Sequence, residues 1–426
     1  MTEPTAPATS GASRFVPQLL REREFRSFWI GQTISVFGDQ ITFLALPIVA
    51  VLVLNADAAQ MGFLTAAGLV PHLLFSLPAG IWLDRVRERR RLMIIADIGR
   101  AAGLALVPLA FLFGWLTIDL LFAVAFLVGT LAVVFDIAWN SFFVAVAKRE
   151  QYVQANSLIS GSRSLSWVAG PAVGGVLIQI LTAPITLLLD ALSFLGSAFF
   201  LSRIHPTEPR IDDEPGSVRE QLREGLLFIV RDPIIRGVLL SVATVNLFNY
   251  CFQALFILYA TVNLGVEPGI LGLALGAGAV GGVVGAVVAG RVARRFGIGR
   301  AYVLGLVLFP APLILVPLAG GPPLLILVFL IVSEFLAGLG VMILDINAGS
   351  MLLARTPDTI RGRSAGTFRF VNMGVRPIGA IIGGLLGTAI GIRETLFIVT
   401  IAQLAGVLWL VGSPILGLKE MPEFAE

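Results

Sequence analysis

Long apolar runs alternate with short polar connections along almost the whole chain. About 20 apolar residues in helical form cross a bilayer. Runs of that length fall at 26–54, 61–83, 92–114, 118–146, 154–181 and 184–204. Six more follow at 234–262, 269–291, 300–319, 322–353, 364–390 and 394–417. The stretch "RIHPTEPRIDDEPGSVREQLREG" (203–225), dense in charge and proline, separates the two sets. The pattern predicts an all-α polytopic membrane protein of twelve spans in two six-helix bundles, 25–204 and 233–417. A linker at 205–232 and tails at 1–24 and 418–426 complete the expected organisation.

Composition agrees. Of 426 residues, 57% are hydrophobic and 13% charged, about half the charge of an ordinary soluble chain. Residues 1–24 lack an apolar stretch before a small-residue cleavage site, so the first span is expected to act as an uncleaved anchor. The basic residues cluster in alternate connections: Arg14 to Arg26, 85–91, Lys148 and Arg149, 203–236, Arg291 to Arg300, Arg355 to Arg363, and Lys419. The other connections carry only Arg393. Positive residues mark the cytoplasmic side. Both termini and the linker are therefore expected in the cytoplasm, with the chain in the inner or plasma membrane. The same distribution argues for lipid rather than nucleic acid as partner.

Several chemistries are disfavoured. One cysteine, Cys251, and two distant histidines, His72 and His205, provide no disulfide framework and no clustered metal site. The only lysines, Lys148 and Lys419, precede Arg149 and Glu420, so there is no Gly-Lys-Ser/Thr phosphate loop. ATP hydrolysis by this chain is excluded, an ion gradient remains as energy source, and no cofactor is expected.

The halves repeat. "AGIWLDRVRERRRLMI" (79–94) aligns with "AGRVARRFGIGRAYVL" (289–304), "FDIAWN" with "LDINAG", and "SGSRSLSWVAGPAVGG" (160–175) with "GTFRFVNMGVRPIGAI" (366–381). These pair Asp136 with Asp345 and Arg163 with Arg369. Duplicated six-helix halves imply a substrate path at their interface.

"GIWLDRVRERRR" resembles the cytoplasmic loop motif of the major facilitator superfamily: a glycine, three residues, Asp-Arg and a basic run. "GPAVGG" (170–175) resembles that superfamily's span-5 motif of proton-driven exporters. "FGDQITFLALPIVAV", "QANSLISGSRSL" and "LLLDALSFLGSAFF" resemble the branch containing macrolide and siderophore exporters. Arg87 stands where that loop usually has glycine, the basic span-4 motif of many drug antiporters is absent, and Arg294 occupies the second-half equivalent of Asp84. The resemblance implies a gating lock: Gly80 in the turn, with Asp84 and Arg85 leading the basic run. Asp84 would cap span 11 or pair with Arg361 and Arg363; the alternative is an exposed carboxylate in a charged loop.

Charges within spans need a partner or a cavity. Asp39, halfway along span 1, is the first candidate for proton coupling and Glu334 the second; a structural ion pair with a span arginine is the alternative. Asp136 and Asp345 read as paired gate elements, and Asp190 as structural. Arg100, Arg163, Arg369 and Arg376 balance intramembrane charge, although Arg369 and Arg376, on one face of span 11, can instead meet an anionic substrate group. Pro171 bends span 5 while Gly170, Gly174 and Gly175 admit a close neighbour. Phe37, Phe43, Trp139, Asn140, Asn246, Asn249 and Gln253 combine aromatic surface with amides and suit a bulky amphipathic ligand. The expected function is proton-coupled efflux of a hydrophobic or amphipathic small molecule, such as an antibiotic, siderophore or metabolite, by a monomer; the alternative is proton symport into the cell. A membrane enzyme would need converging catalytic groups, and a sensor a larger soluble domain; neither is visible.

Overall fold

A computed structural model describes residues 18–84, 88–204 and 218–420, and the side chains among them outside 18, 77–84, 140–141 and 218–222. Six spans form the first set: Arg23–Val53, Ala58–Asp84, Arg89–Leu112, Ile118–Val146, Tyr152–Leu181 and Ala183–Ser202. The second set is Pro233–Asn263, Pro268–Phe296, Ile298–Leu318, Pro323–Arg355, Arg361–Ile390 and Ile392–Leu410. We number them spans 1–12. All twelve are long and apolar enough to cross a membrane, as the apolar runs predict.

Local chemistry sets the ends. Span 7 starts where Asp232 Oδ1 accepts the Ile234 and Ile235 N–H groups at 2.9 and 3.0 Å, with Pro233 filling the first helical position. Span 4 starts where Thr117 accepts from the Leu120 N–H. Two elements depart from the sequence expectation. Span 9 is helical over Ile298–Leu308, then tightens into a 3₁₀ turn at Ala311–Ile314. Pro310 and Pro312 each lack the N–H that would continue the ladder. Span 12 tightens to 3₁₀ at Leu404–Leu410 and ends before Gly412 (φ 81°), short of residue 417. A third finding is a helix, Val218–Arg231, inside the linker. Its inner face buries Gly225 and Ile229 against span 11 and span 7, while Leu226, Leu227 and Val230 face outward.

The repeat persists in backbone detail. Spans 1 and 7 both finish in a single π-helical turn, Val49–Val53 and Tyr259–Asn263. Each turn is closed by equivalent bonds, Leu54 N–H to Val49 O and Leu264 N–H to Tyr259 O. The one-residue turns after spans 5 and 11 use matching positive-φ residues, Thr182 (φ 74°) and Gly391 (φ 100°). Packing follows the same symmetry. Span 1 lies against spans 5 and 6 as span 7 lies against 11 and 12; spans 2 and 4 pack as do 8 and 10.

The halves meet along two equivalent seams, span 2 with span 11 and span 5 with span 8. Glycines allow the backbones to touch. A Cβ on Gly62 would stand 2.6 Å from the Ala380 carbonyl oxygen and 2.8 Å from Gly384 Cα. A Cβ on Gly272 would overlap the Pro171 carbonyl, and one on Gly175 would overlap that of Pro268. All these residues lie towards the face away from the chain ends. There a single apolar core joins both halves, from Leu44, Met61 and Ile178 to Phe252, Leu255 and Leu271. At the face carrying the ends, the cores are separate. Leu19, Phe28, Phe142 and Ile204 belong to the first half, and Ile234, Tyr302, Met351 and Ile415 to the second. Among the described residues, one shared apolar core lies at the distal face and two separate ones at the proximal face.

Because the Gly62 neighbours are backbone atoms, a side chain there cannot be accommodated by rotamer changes. Gly62→Leu is expected to lengthen the distance between spin labels at positions 57 and 394 by about 2 Å or more. Gly161→Ala, which meets nothing within 4 Å, should leave that distance unchanged.

Candidate functional site

Span 1 carries Gly38 and Asp39 at mid-length. Gly38 is required because Asp190 and Ser193 of span 6 sit where its Cβ would be. The Asp190 carboxylate accepts hydrogen bonds from the Thr42 hydroxyl and, at 2.8 Å, from that of Ser193. Span 3 contributes Asp97 and Arg100, one turn apart and paired while 0% and 5% exposed. The Arg100 guanidinium is also enclosed by the rings of Phe135 (4.4 Å) and Phe194 (4.1 Å), contacts that strengthen when water is excluded. A cavity of about 60 Å³ opens beside this pair, lined by Gln32, Asp39, Asp136, Trp139 and Arg163 among others. Arg163 lies over the Trp139 ring at 4.9 Å.

Asp39 and Asp136 face open space although both sit deep in the bundle. Asp39 lies in the combined field of Arg100, Asp136, Asp97 and Arg163. Asp190 feels both Asp39 and Arg100. Three carboxyl groups (Asp39, Asp97, Asp190) thus draw on two guanidiniums (Arg100, Arg163), one acid in excess, and Asp136 adds its charge to the same field.

Between the halves, His72, Asp136, Arg369 and Phe370 line a second cavity of about 190 Å³. Arg376 donates to the Tyr250 hydroxyl at 3.2 Å, and its guanidinium stands 5.1 Å from that ring. It also reaches Asp345 electrostatically. Asn246 donates to Asn372 Oδ1 at 3.2 Å. A third cavity, about 530 Å³, belongs mainly to spans 8 and 10 and includes Trp167, Asn249, Gln253 and Glu334.

The sequence candidates therefore separate. Asp39, Arg100, Asp136, Trp139 and Arg163 share one cavity; Asp136 also shares the second with Arg369; Asn249, Gln253 and Glu334 share the third. Phe37, Phe43 and Asn246 line none of these three, and Phe43 is 51% exposed. Gly170, Pro171, Gly174 and Gly175 are all buried: Gly170 fits against Gln40, Gly174 against Ile41, and Gly175 against the second half. Arg361 pairs with Asp358, and Arg363 with Glu224 of the linker helix. Asp84 ends span 2, but its side chain, those of Gly80 and Asn140, and Arg85 altogether lie outside what is described.

Three partnerships were not anticipated. Asp97 was passed over, although Asp-x-x-Arg within "ADIGR" puts opposite charges one turn apart. The bond from Thr42 to Asp190 and the Gln179 donation to Glu267 at 2.6 Å across the distal seam join distant segments, whereas Ser193 holds Asp190 from one turn along the same span.

The family model of transmembrane secretion effectors matches residues 12–423. The chain belongs to that family, within the major facilitator superfamily. This secretion effector is a multi-pass membrane transporter. It is 28% identical over 86% of its length to the multidrug efflux pump Tap of Mycolicibacterium fortuitum, of which it covers 90%. It is 24% identical over 94% of its length to YfiS of Bacillus subtilis, an uncharacterised transporter of the superfamily, and covers 95% of it. Among solved structures it resembles a bacterial homologue of the iron transporter ferroportin in its inward-facing state (TM-score 0.74, 17% identity, 93% of this chain and 99% of that one). It also resembles a bacterial homologue of the lysosomal transporter Spinster (TM-score 0.71, 12% identity, 93% and 97%). These two likenesses are of fold.

The Asp97–Arg100 pair offers a direct test. Removing one member leaves an uncompensated buried charge, so Arg100→Met is expected to lower stability by about 3–5 kcal/mol. The double substitution Asp97→Asn, Arg100→Met should recover much of it, read by thermal unfolding in detergent.

Proposed function

We propose that this secretion effector exports a hydrophobic or amphipathic small molecule in exchange for protons. The observation that carries the reading is the acid excess around Asp39: three carboxyl groups (Asp39, Asp97, Asp190) and two guanidiniums (Arg100, Arg163) within the bundle, beside a cavity. A surplus negative charge at that depth is expensive, and protons are the mobile counter-charge every cell membrane offers. Asp39 is the coupling acid, because it faces the cavity while Asp97 is paired with Arg100 and Asp190 is held by Thr42 and Ser193.

Positive residues mark the proximal face as cytoplasmic, so both termini are inside and the distal face is outside. The conformation is then inward-open. Export requires the opposite state, reached by rocking one half against the other. In that motion the two glycine seams part and the proximal ends close. Arg361 and Arg363, now held by Asp358 and Glu224, become available to Asp84, and Asp136 and Asp345 approach the arginines of span 11. Similarity to multidrug efflux pumps supports the outward direction and the substrate breadth. The transporter acts as a monomer in the cell membrane.

Inverted vesicles with an imposed proton gradient test this. Wild-type protein is expected to accumulate an exported dye and release protons with it. Asp39→Asn should lose more than tenfold of gradient-driven transport while retaining substrate binding. Accumulation with the gradient reversed, in right-side-out vesicles, would instead identify a symporter.

A further inference from the structure

The cavity around Glu334 differs in kind from the charged cluster of the first half. It measures about 530 Å³, within the range of small-molecule sites. Spans 5, 7, 8, 9 and 10 contribute its walls, which are mostly aliphatic and glycine, with Trp167 and Phe309 as aromatic surface. None of the other lining residues is titratable. Glu334 extends from span 10 towards span 8, where the absent side chain of Gly278 leaves room: a Cβ there would stand 3.3 Å from Glu334 Oε2.

Every other mid-span acid has a guanidinium in reach: Asp39 has Arg100 and Arg163, Asp97 and Asp190 have Arg100, and Asp345 has Arg376. Asp136 shares its cavity with Arg369. Glu334 has none among the described residues, and its Oε1 is buried without a hydrogen-bond partner. Asn249, 7% exposed on the same wall, likewise keeps its Nδ2 without an acceptor. A carboxylate among apolar walls demands a counter-ion, and the described residues place no arginine or lysine beside it. The space it faces is large enough for a counter-ion attached to an organic body.

We infer that this cavity is the substrate site and that it selects a monocation borne on an aromatic or aliphatic body, with Glu334 as counter-ion. This rests on the efflux reading and names its substrate class. Aromatic surface from Trp167 and Phe309 favours the same class. Asn249 and Gln253 offer donors to an ether or carbonyl oxygen elsewhere on the ligand. The division of labour follows: the first half holds surplus acid balanced by protons, and the second holds one acid awaiting a cation.

The test uses a matched pair of fluorescent probes, (2-naphthylmethyl)trimethylammonium and its neutral carbon isostere 2-neopentylnaphthalene. Binding to the full-length protein in nanodiscs is followed by fluorescence anisotropy. Wild type is expected to prefer the cation at least tenfold. Glu334→Gln should erase that preference while binding the neutral isostere within twofold of wild type, which also shows that the variant is folded. Should Glu334→Gln not fold, wild type is read with Gly278→Leu, which fills the space beside the carboxylate and should weaken both probes tenfold or more. Equal binding of the two probes by wild type, or full cation affinity in Glu334→Gln, overturns the inference. Gradient-driven export of other compounds would then leave the efflux reading standing. A protein that binds the cation selectively yet exports nothing overturns the efflux reading alone.

Discussion

Backbone-to-backbone contact between helices of opposite halves is the constraint on which the rest of this structure depends. Lipid tails are as apolar as leucine, so no hydrophobic force drives one membrane helix against another; close packing must. Gly62 with Gly384, and Gly175 with Pro268 and Gly272 with Pro171, supply that packing at two symmetry-related places. Because both seams lie at the distal face, the halves are joined there by one apolar core and kept apart at the proximal face by two.

The second organising feature is the unequal distribution of charge between halves. In the first half, Asp97 and Arg100 pair locally, Asp190 is held by hydroxyl groups, and Asp39 and Asp136 face the cavity. In the second half, Arg376 is shared between Tyr250 and Asp345, while Glu334 stands apart. The duplication evident in the backbone turns has therefore not been kept in the chemistry. The scaffold is symmetric and its lining is not.

Much of the fold was legible in one dimension. The apolar runs located twelve spans to within a few residues, since a helix in lipid satisfies its own backbone and needs only length and hydropathy. Misjudged ends have local causes: the prolines of span 9, and the glycine after span 12. The linker helix was hidden because its helical period lies in a short segment next to a charged, proline-rich one. Asp97 was legible in principle, since its partner is three residues away. The bond between Thr42 and Asp190, separated by 148 positions, was not.

The sequence alone determined how many times the chain crosses the membrane, that it is built of two related halves, and which charges must lie within lipid depth. Those properties follow from hydropathy, spacing and residue identity along a single helix. The tertiary structure decided which acids share an arginine and which have none, which aromatic rings line a cavity, and at which face the halves are joined. Those depend on the rotation of each helix about its own axis. Rotation is set by where a neighbour's backbone can approach a glycine, a relation between segments that no local pattern encodes.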